Sequence, residues 1–191
     1  GLNKPGSIGL PYPDTDVKIV DLVTGEESMP IGKEGEMIFR GPQVTKGYLN
    51  KPEETAKAIK VGWLHSGDIA YMDEDGYFFF VDLMKDLIIS SGYNVYPREI
   101  EEILYEHPKI QKAAVIGLPD EKRGEKIKVF AVPNEGAMLD EKEVMDYCQE
   151  KLAKYKWPST IEIRTSLPES NVGKILKKEL RKEEEEKRAK G

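Results

Sequence analysis

The sequence predicts an α+β protein in which a small β-barrel-like subdomain precedes a small α+β domain, a sheet with packed helices. Short strand patterns separated by glycine turns fill residues 1–82. Beyond them the apolar spacing becomes helical, as in Ile100, Ile103 and Leu104. Strand and helix patterns then alternate through residues 83–191, which is typical of sheets with helices packed on them. We therefore predict a domain boundary after residue 82.

The first part of the chain carries five strand patterns and one helix pattern. The strand patterns are "GSIGLP", "DVKIVD", "GEMIFRG", "WLHSGDIAYMD" and "YFFFVD". The helix pattern is "KPEETAKAI", with Pro52 in its first turn and acidic residues where the helix dipole favours them. Strands this short, joined by glycine turns, predict a small barrel or sandwich.

The second part begins with the strand pattern "DLIIS" and the helix pattern "YPREIEEILYEH". The strand patterns "IQKAAVIGLPD" and "EKIKVFAVP" follow, and a helix in "LDEKEVMDYCQEKLAKYK" is predicted to end at Pro158. After the strand pattern "TIEIRTSLP", the segment "KKELRKEEEEKRAKG" is polar all round. Its charge pairs support a helix only weakly, so we expect a frayed, solvated tail from about residue 181 rather than a partner-binding segment.

Composition excludes several classes of protein. A net charge of -6 argues against a nucleic-acid-binding surface, and no apolar run approaches the ~20 residues of a transmembrane segment. Cys148 is the only cysteine, and its place on an apolar helical stripe predicts a buried thiol. Two separated histidines predict no metal site. No secretory signal is visible, so we expect a soluble, cytoplasmic protein, and the charged content of 34% favours a thermophilic source.

A glycine and a lysine stand together in "SLPESNVGKILKKEL". A Walker phosphate loop is excluded, since Pro168 replaces its first glycine and Ile175 follows the lysine. Lys174 is left as a cation on a turn just ahead of a basic helix. It is either a solvated charge or a point cation for a phosphate or carboxylate.

Four other residues, in three places along the chain, are candidates for a functional role beside a structural one. Asp68 follows a Ser-Gly turn, where a carboxylate either caps the turn or accepts two ribose hydroxyls. Lys85 stands between the two predicted domains. Ser91 and Gly92 form a turn that is either a plain connection or a place where backbone approaches a ligand closely, because glycine has no Cβ.

Five blocks of sequence, in order, resemble the adenylate-forming superfamily of acyl-CoA synthetases, luciferases and peptide-synthetase adenylation domains. They are "GPQVTKGYLNKPEET", "GWLHSGD", "DGYFFFVDLMKDLIISSGYNVYPREIE", "AAVIGLPDEKRGE" and "NVGKILKKEL". The resemblance spans nearly the entire chain and is greatest to medium- and long-chain fatty acyl-CoA ligases. In that family a carboxylic acid and ATP give an acyl-adenylate, and the CoA thiol then displaces AMP. The resemblance therefore implies fatty acid, ATP or AMP, CoA and Mg²⁺ as ligands of a longer parent enzyme.

The resemblance also implies roles for individual residues. Asp68 would bind the ribose hydroxyls of ATP, and Lys174 would stabilise charge in the adenylation step. Lys85 would be the hinge about which a small C-terminal domain turns between the two half-reactions. Ser91 and Gly92 would line the path of CoA.

Two departures from the family pattern carry expectations of their own. Leu83 stands where the family usually has a nucleotide-binding arginine. The family's phosphate loop and its aromatic-Gly-x-Thr-Glu block are missing from the chain, so we expect a C-terminal fragment that is inactive alone and binds no cofactor by itself. The alternatives are an adenylation domain that feeds a carrier protein and a non-catalytic binding or regulatory module.

Overall fold

The structure, a computed structural model, describes residues 3–190 and divides into two compact units. Unit 1 ends at Lys85 and unit 2 begins at Asp86, whereas the sequence pattern places the boundary after Asp82. The strands are β1 Ser7–Gly9, β2 Asp16–Val20, β3 Gly35–Arg40, β4 Ile59–Lys60, β5 Trp63–Met72, β6 Phe78–Leu83, β7 Ile88–Ser90, β8 Tyr93–Val95, β9 Ile110–Asp120, β10 Gly124–Pro133 and β11 Thr160–Ile163. The α-helices are α1 Pro52–Ala58, α2 Pro97–Tyr105, α3 Glu141–Lys151 and α4 Lys177–Lys190. Short 3₁₀ helices cover Met84–Asp86 and Lys154–Lys156.

Unit 1 is built on one antiparallel sheet in the order β1-β6-β5-β3-β2, with β4 beside β5. Its core gathers around Ile19, Met37, Ala70 and Phe78. The predicted α+β class is confirmed, and within residues 3–85 the barrel-like subdomain is an open sheet rather than a closed barrel, because β1 and β2 lie at its opposite ends. Closure needs partners for both edges, and the edge strand β1, at three residues, is too short to continue the ladder.

Unit 2 has a sheet that is covered on both faces. The central strand β10 pairs with β9 in antiparallel and with β11 in parallel orientation, and β7 joins at Gly124 and leads to β8. Side chains alternate along each strand. On β10, Val129 packs in a cluster with α2 and α3, whereas Phe130 packs in a separate cluster with Leu180 of α4.

Helix α3 ends earlier than the sequence predicts. Asp140 caps it by accepting a 2.8 Å hydrogen bond from the amide of Glu143. The expected continuation to Pro158 is wrong, since Leu152 is already extended and its carbonyl accepts a hydrogen bond from the indole of Trp157. Cys148 is buried in this helix as predicted, and burial raises the pKa of its thiol to about 11.

Helix α4 corrects the expectation that the final segment is polar all round. Leu180 is fully buried against the second face of the sheet, and Glu184 is buried beside Lys128 of β10. The physical reason is that Phe130 and its apolar neighbours on this face of the sheet are removed from water when α4 packs on them through Leu180. Fraying of this helix stays a prediction. None of the helices described in residues 3–190 is long and apolar enough to cross a membrane.

Candidate functional site

Asp68 lies at the end of a bulge in β5. In the pairing of β3 with β5, Glu36 lies opposite Ile69, and Ile38 lies opposite His65. Two steps along β3 therefore correspond to four along β5, so β5 carries two extra residues between these pairs. The extra length interrupts the pairing of the Ser-Gly-Asp segment with β3, while Asp68 keeps its place in the pairing of β5 with β6 and is half-buried.

The hydroxyl of Ser66 caps the bulge. It donates a 2.7 Å hydrogen bond to the carbonyl of Met37 and accepts one of 3.0 Å from the amide of Asp68. Turn-capping was the structural interpretation of Asp68, yet Ser66 performs it. Within residues 3–190 the carboxylate of Asp68 has no hydrogen-bond or ion-pair partner, so its acceptor oxygens are available to a ligand.

Leu83 is the cross-strand neighbour of Asp68. The two residues are register partners of β5 and β6, at the end of β6. Such partners have Cα atoms about 4.5–5.5 Å apart and side chains on one face of the sheet. The structure therefore brings together the two residues of unit 1 at which the family resemblance implies contact with the nucleotide.

Lys85 is exposed in the 3₁₀ helix and is the last residue of unit 1. The next residue is held firmly. Asp86 is buried, and its Oδ1 atom accepts a 2.7 Å hydrogen bond from Arg181 of α4. The exposed Lys85 and the anchored Asp86 are thus joined directly by one peptide bond.

Ser91 and Gly92 form the two-residue turn between β7 and β8. Both have positive φ angles, 53° and 81°, which is the pattern of a type I′ hairpin. The amide of Ser91 donates a 2.7 Å hydrogen bond to the carbonyl of Arg123. A Cβ atom on Gly92 would meet nothing within 4 Å, so the backbone conformation rather than crowding demands glycine there. The exposed face of Gly92 is open to a ligand.

Lys174 ends a tight turn that begins at Ser170. The amide of Gly173, at φ 77°, donates to the Ser170 carbonyl at 2.9 Å, and the amide of Ser170 donates to the Lys174 carbonyl at 2.8 Å. Ile175 packs on the core while Lys174 itself is exposed. Within residues 3–190 its ammonium has no ion-pair partner. The turn presents a free cation, as the sequence pattern suggests, and α4 begins three residues later, at Lys177.

Sequence reasoning missed the buried carboxylate of Glu36, which contacts the bulge that carries Asp68. A signal was present, because an acidic residue inside the apolar run "GEMIF" needs a buried partner. No group of three or more His, Cys, Asp or Glu residues in the described part of the chain could hold a metal ion. The candidate residues divide between the units, with Asp68, Leu83 and Lys85 on unit 1 and the others on unit 2.

Residues 1–49 match the family model of the AMP-binding enzymes, and residues 99–174 match that of the AMP-binding enzyme C-terminal domain. The chain belongs to this family, the adenylate-forming enzymes. Over 186 residues, 97% of the chain, it is 52% identical to a long-chain-fatty-acid–CoA ligase of Bacillus subtilis. It is 45% identical over 179 residues, 94% of the chain, to a feruloyl-CoA synthase of Amycolatopsis. These matches cover 33% and 36% of the two relatives, so the chain spans about a third of their length.

Solved structures agree with this assignment. ATP-bound MatB from Rhodopseudomonas palustris matches with a TM-score of 0.87 and 35% identity, over 95% of this chain and 36% of that one. The o-succinylbenzoate CoA synthetase of Bacillus subtilis, in complex with its acyl-adenylate intermediate, matches with a TM-score of 0.83 and 35% identity, over 93% and 36%. Both relatives hold an adenine nucleotide or an adenylate.

Proposed function

We propose that the chain is the C-terminal third of an ATP-dependent long-chain fatty acyl-CoA ligase, called the parent below. The parent would join a fatty acid to ATP as an acyl-adenylate with release of pyrophosphate, and CoA would then displace AMP. The observation that carries the proposal is the half-buried, unpartnered carboxylate of Asp68 on its capped bulge. The similarity to ligases over 97% of the chain supports it.

Asp68 suits the ribose of ATP. A carboxylate with both oxygens free accepts two neighbouring hydroxyls at once, and each hydrogen bond to a charged group contributes about 1.5–3 kcal/mol. The residues present therefore fit the nucleotide. Leu83, beside Asp68, removes the arginine that the family usually supplies, so we expect weaker nucleotide binding than in family members that have it.

Lys174 suits the first half-reaction. Negative charge develops between the attacking carboxylate and the α-phosphate, and a cation aimed at that charge lowers the barrier. An exposed lysine with no ion-pair partner in residues 3–190 is free to meet it. The second half-reaction has no such carboxylate attack, so the same lysine is not needed there.

Lys85 suits a hinge, and the Ser91–Gly92 turn suits the CoA path. Lys85 is the exposed residue at which the division between the units falls, and within residues 3–190 its side chain has no hydrogen bond or ion pair that a change of its torsions would break. Gly92 offers bare backbone to the pantetheine chain. Mg²⁺ would neutralise phosphate charge in the parent, but no carboxylate cluster in residues 3–190 fits it, and no step here depends on it.

The proposal includes a cytoplasmic location, no nucleic-acid partner and a thermophilic source. The absence of a nucleic-acid partner is inferred from the net charge of -6, and the thermophilic source from the charged content of 34%. A non-catalytic module is the second candidate, favoured by Leu83 in the nucleotide site. An adenylation domain that feeds a carrier protein differs from the main proposal only in its acceptor thiol.

The test is made on the parent and on the 191-residue chain separately. We expect the parent to release pyrophosphate with long-chain fatty acids and ATP and to form the CoA thioester. Ferulic acid is the informative competitor, since a feruloyl-CoA synthase is among the relatives. The isolated chain should fold but give neither product. A parent without pyrophosphate release would contradict the proposal and favour the non-catalytic module, and transfer to a carrier protein but not to CoA would favour the carrier-fed domain.

A further inference from the structure

Glu36 is the buried carboxylate of β3. Only 6% of the residue is exposed, and it stands directly beside the bulge of β5. Its Oε2 atom lies 2.7 Å from Nδ1 of His65, whose side chain is also about nine-tenths buried. Its Oε1 atom accepts a 3.1 Å hydrogen bond from the amide of Gly67. One carboxylate thus holds both ends of the segment that comes just before Asp68.

A carboxylate in this environment is costly unless it is fully paired, because burial removes its water. Glu36 meets that condition with a ring nitrogen and a backbone amide. An apolar residue would fill the same space in a strand without such a cost. The position therefore calls for an explanation beyond packing, and the two partners supply one, since both belong to the bulge.

The bulge needs outside support to keep one shape. It carries two extra residues, and Gly67 has φ 74°, a conformation with many alternatives in a glycine. Ser66 fixes the segment to β3 through the carbonyl of Met37. Glu36, the neighbour of Met37 on β3, fixes it at His65 and Gly67.

We propose that Glu36, with His65, is a positioning residue for nucleotide binding: it holds the bulge so that the Asp68 carboxylate meets both hydroxyls of a ribose. This inference rests on the proposed function, because it requires that Asp68 contact the ribose. Glu36 itself touches no substrate. By holding Asp68 in place, Glu36 strengthens the enzyme's preference for nucleotides that carry both ribose hydroxyls over those that lack one.

The test uses the parent enzyme and compares ATP with 2′-deoxy-ATP and 3′-deoxy-ATP in pyrophosphate release. The quantity measured is the ratio of kcat/KM values, which a merely structural role would leave unchanged. Asp68→Ala should abolish the preference for ATP. Glu36→Ala should reduce the preference roughly three- to tenfold, which corresponds to about 0.6–1.4 kcal/mol and lies within the net contribution of one hydrogen bond. The double variant should equal Asp68→Ala alone, because Glu36 acts only through Asp68.

Three further variants sharpen the result. Glu36→Gln should keep most of the preference, since an amide oxygen can accept from Gly67 while the amide nitrogen donates to the other tautomer of His65. Glu36→Leu keeps the buried volume and removes both contacts, so it gives the same test where the cavity of Glu36→Ala prevents folding. Glu34→Leu, an exposed carboxylate two positions earlier, is the matched control and should keep the full preference.

The outcomes separate this inference from the proposed function. An Asp68→Ala enzyme that still prefers ATP would overturn the ribose role and, with it, the inference. A loss of preference in Asp68→Ala, combined with full preference in folded Glu36→Ala or Glu36→Leu, would overturn the inference alone. Additive losses in the double variant would also contradict it, because they would show that Glu36 acts independently of Asp68.

Discussion

The turns that carry Asp68 and Lys174 are built in opposite ways. Asp68 is half-buried, and two side chains hold its bulge against β3, Ser66 through the carbonyl of Met37 and Glu36 through His65 and the amide of Gly67. Lys174 is exposed on a turn closed mainly by backbone hydrogen bonds. The difference suits the proposed roles. A residue that binds ribose through both half-reactions gains from a fixed position, whereas a lysine used in only one of them must be free to arrive and leave.

The Lys174 turn is anchored instead through the helix that follows it. The ammonium of the buried Lys128 of β10 lies 2.7 Å from a carboxylate oxygen of Glu184 of α4 and 2.6 Å from one of Glu162 of β11. Arg181 of α4 binds Asp86, the first residue of unit 2, at 2.7 Å. Unit 2 therefore holds the helix tightly and leaves the turn ahead of it exposed.

The largest expected effect comes from breaking this anchor. Lys128→Ala removes the buried partner of Glu184, which then keeps only the half-exposed Lys187 at 2.7 Å. Removing one member of a buried pair costs about 3–5 kcal/mol, and because Lys187 remains we expect the lower end of this range. We expect unit 2 to lose that much unfolding free energy while unit 1 is unaffected. Urea unfolding followed through Trp157, in a Trp63→Phe background, reports on unit 2 alone.

Lys142→Ala is the matched control, because Lys142 is exposed and pairs with Asp146 on the surface of α3. We expect no measurable change from it. If Lys128→Ala also leaves the unfolding transition of Trp157 unchanged, the ion pairs do not anchor α4. The statement that the Lys174 turn is held through that helix would then be wrong.

A proline at the hinge tests whether the exposed lysine has to move. Proline fixes φ near −65° and restricts the preceding residue, Met84. In the parent, Lys85→Pro should suppress one half-reaction at least tenfold and spare the other, and we expect adenylation to survive better. Lys85→Ala removes the charge without restricting the torsion and should spare both. Pyrophosphate release and acyl transfer are measured separately. Unchanged rates of both in Lys85→Pro would contradict the assignment of Lys85 as the hinge.

Leu83→Arg sharpens the description of the fixed site. Because Leu83 is the cross-strand partner of Asp68, a guanidinium at this position reaches the same ligand. A hydrogen bond from a charged group contributes about 1.5–3 kcal/mol, so we expect ATP to bind roughly ten- to a hundredfold more tightly. Leu83→Met, with similar volume and no charge, is the control. Unchanged affinity in Leu83→Arg would mean that the site is arranged around leucine.

The smallest expected effect is a pH dependence of the α4 anchor. Burial alone would raise the pKa of Glu162, but hydrogen bonds from Lys128, Arg164 and Lys187 outweigh it and lower the pKa to about 2. In the unfolded chain the pKa of Glu162 lies near the ordinary 4.5. The folded state therefore favours the charged carboxylate more than the unfolded state does. The resulting stability is complete above about pH 4.5 and is lost as the pH falls towards 2. Unfolding of the chain and of Glu162→Gln should differ most at neutral pH and converge in acid, and a constant difference would contradict the lowered pKa.

The sequence was sufficient for the fold class and for most strands, because strand alternation and glycine turns are local signals. It failed where the outcome depends on distant residues. Glu184 looks like any other charge in a polar helix until β10 places Lys128 beside it. Likewise, the early end of α3 depends on a hydrogen bond from Trp157, and the open sheet of unit 1 depends on which strands find partners.

The candidate site shows the same limit. Asp68 and Lys174 were found through short motifs whose residues are adjacent in the chain. Glu36 was missed because its role depends on the register between β3 and β5, and register is a property of the folded sheet. The motif in the sequence contains the residue that would meet the ligand, but not the residue that holds it in place.

The central claim is that Asp68 serves both half-reactions and Lys174 only the first, and one measurement tests it directly. Adenylation and thioester formation from supplied acyl-adenylate are measured separately in parent variants Lys174→Ala and Asp68→Ala, with the exposed Lys178→Ala as control. Lys174→Ala should lower adenylation about 10²–10³-fold and leave thioester formation nearly intact. Asp68→Ala should weaken both steps, since the acyl-adenylate retains the ribose. Equal losses in both steps for Lys174→Ala would contradict the claim and assign that lysine a general structural role.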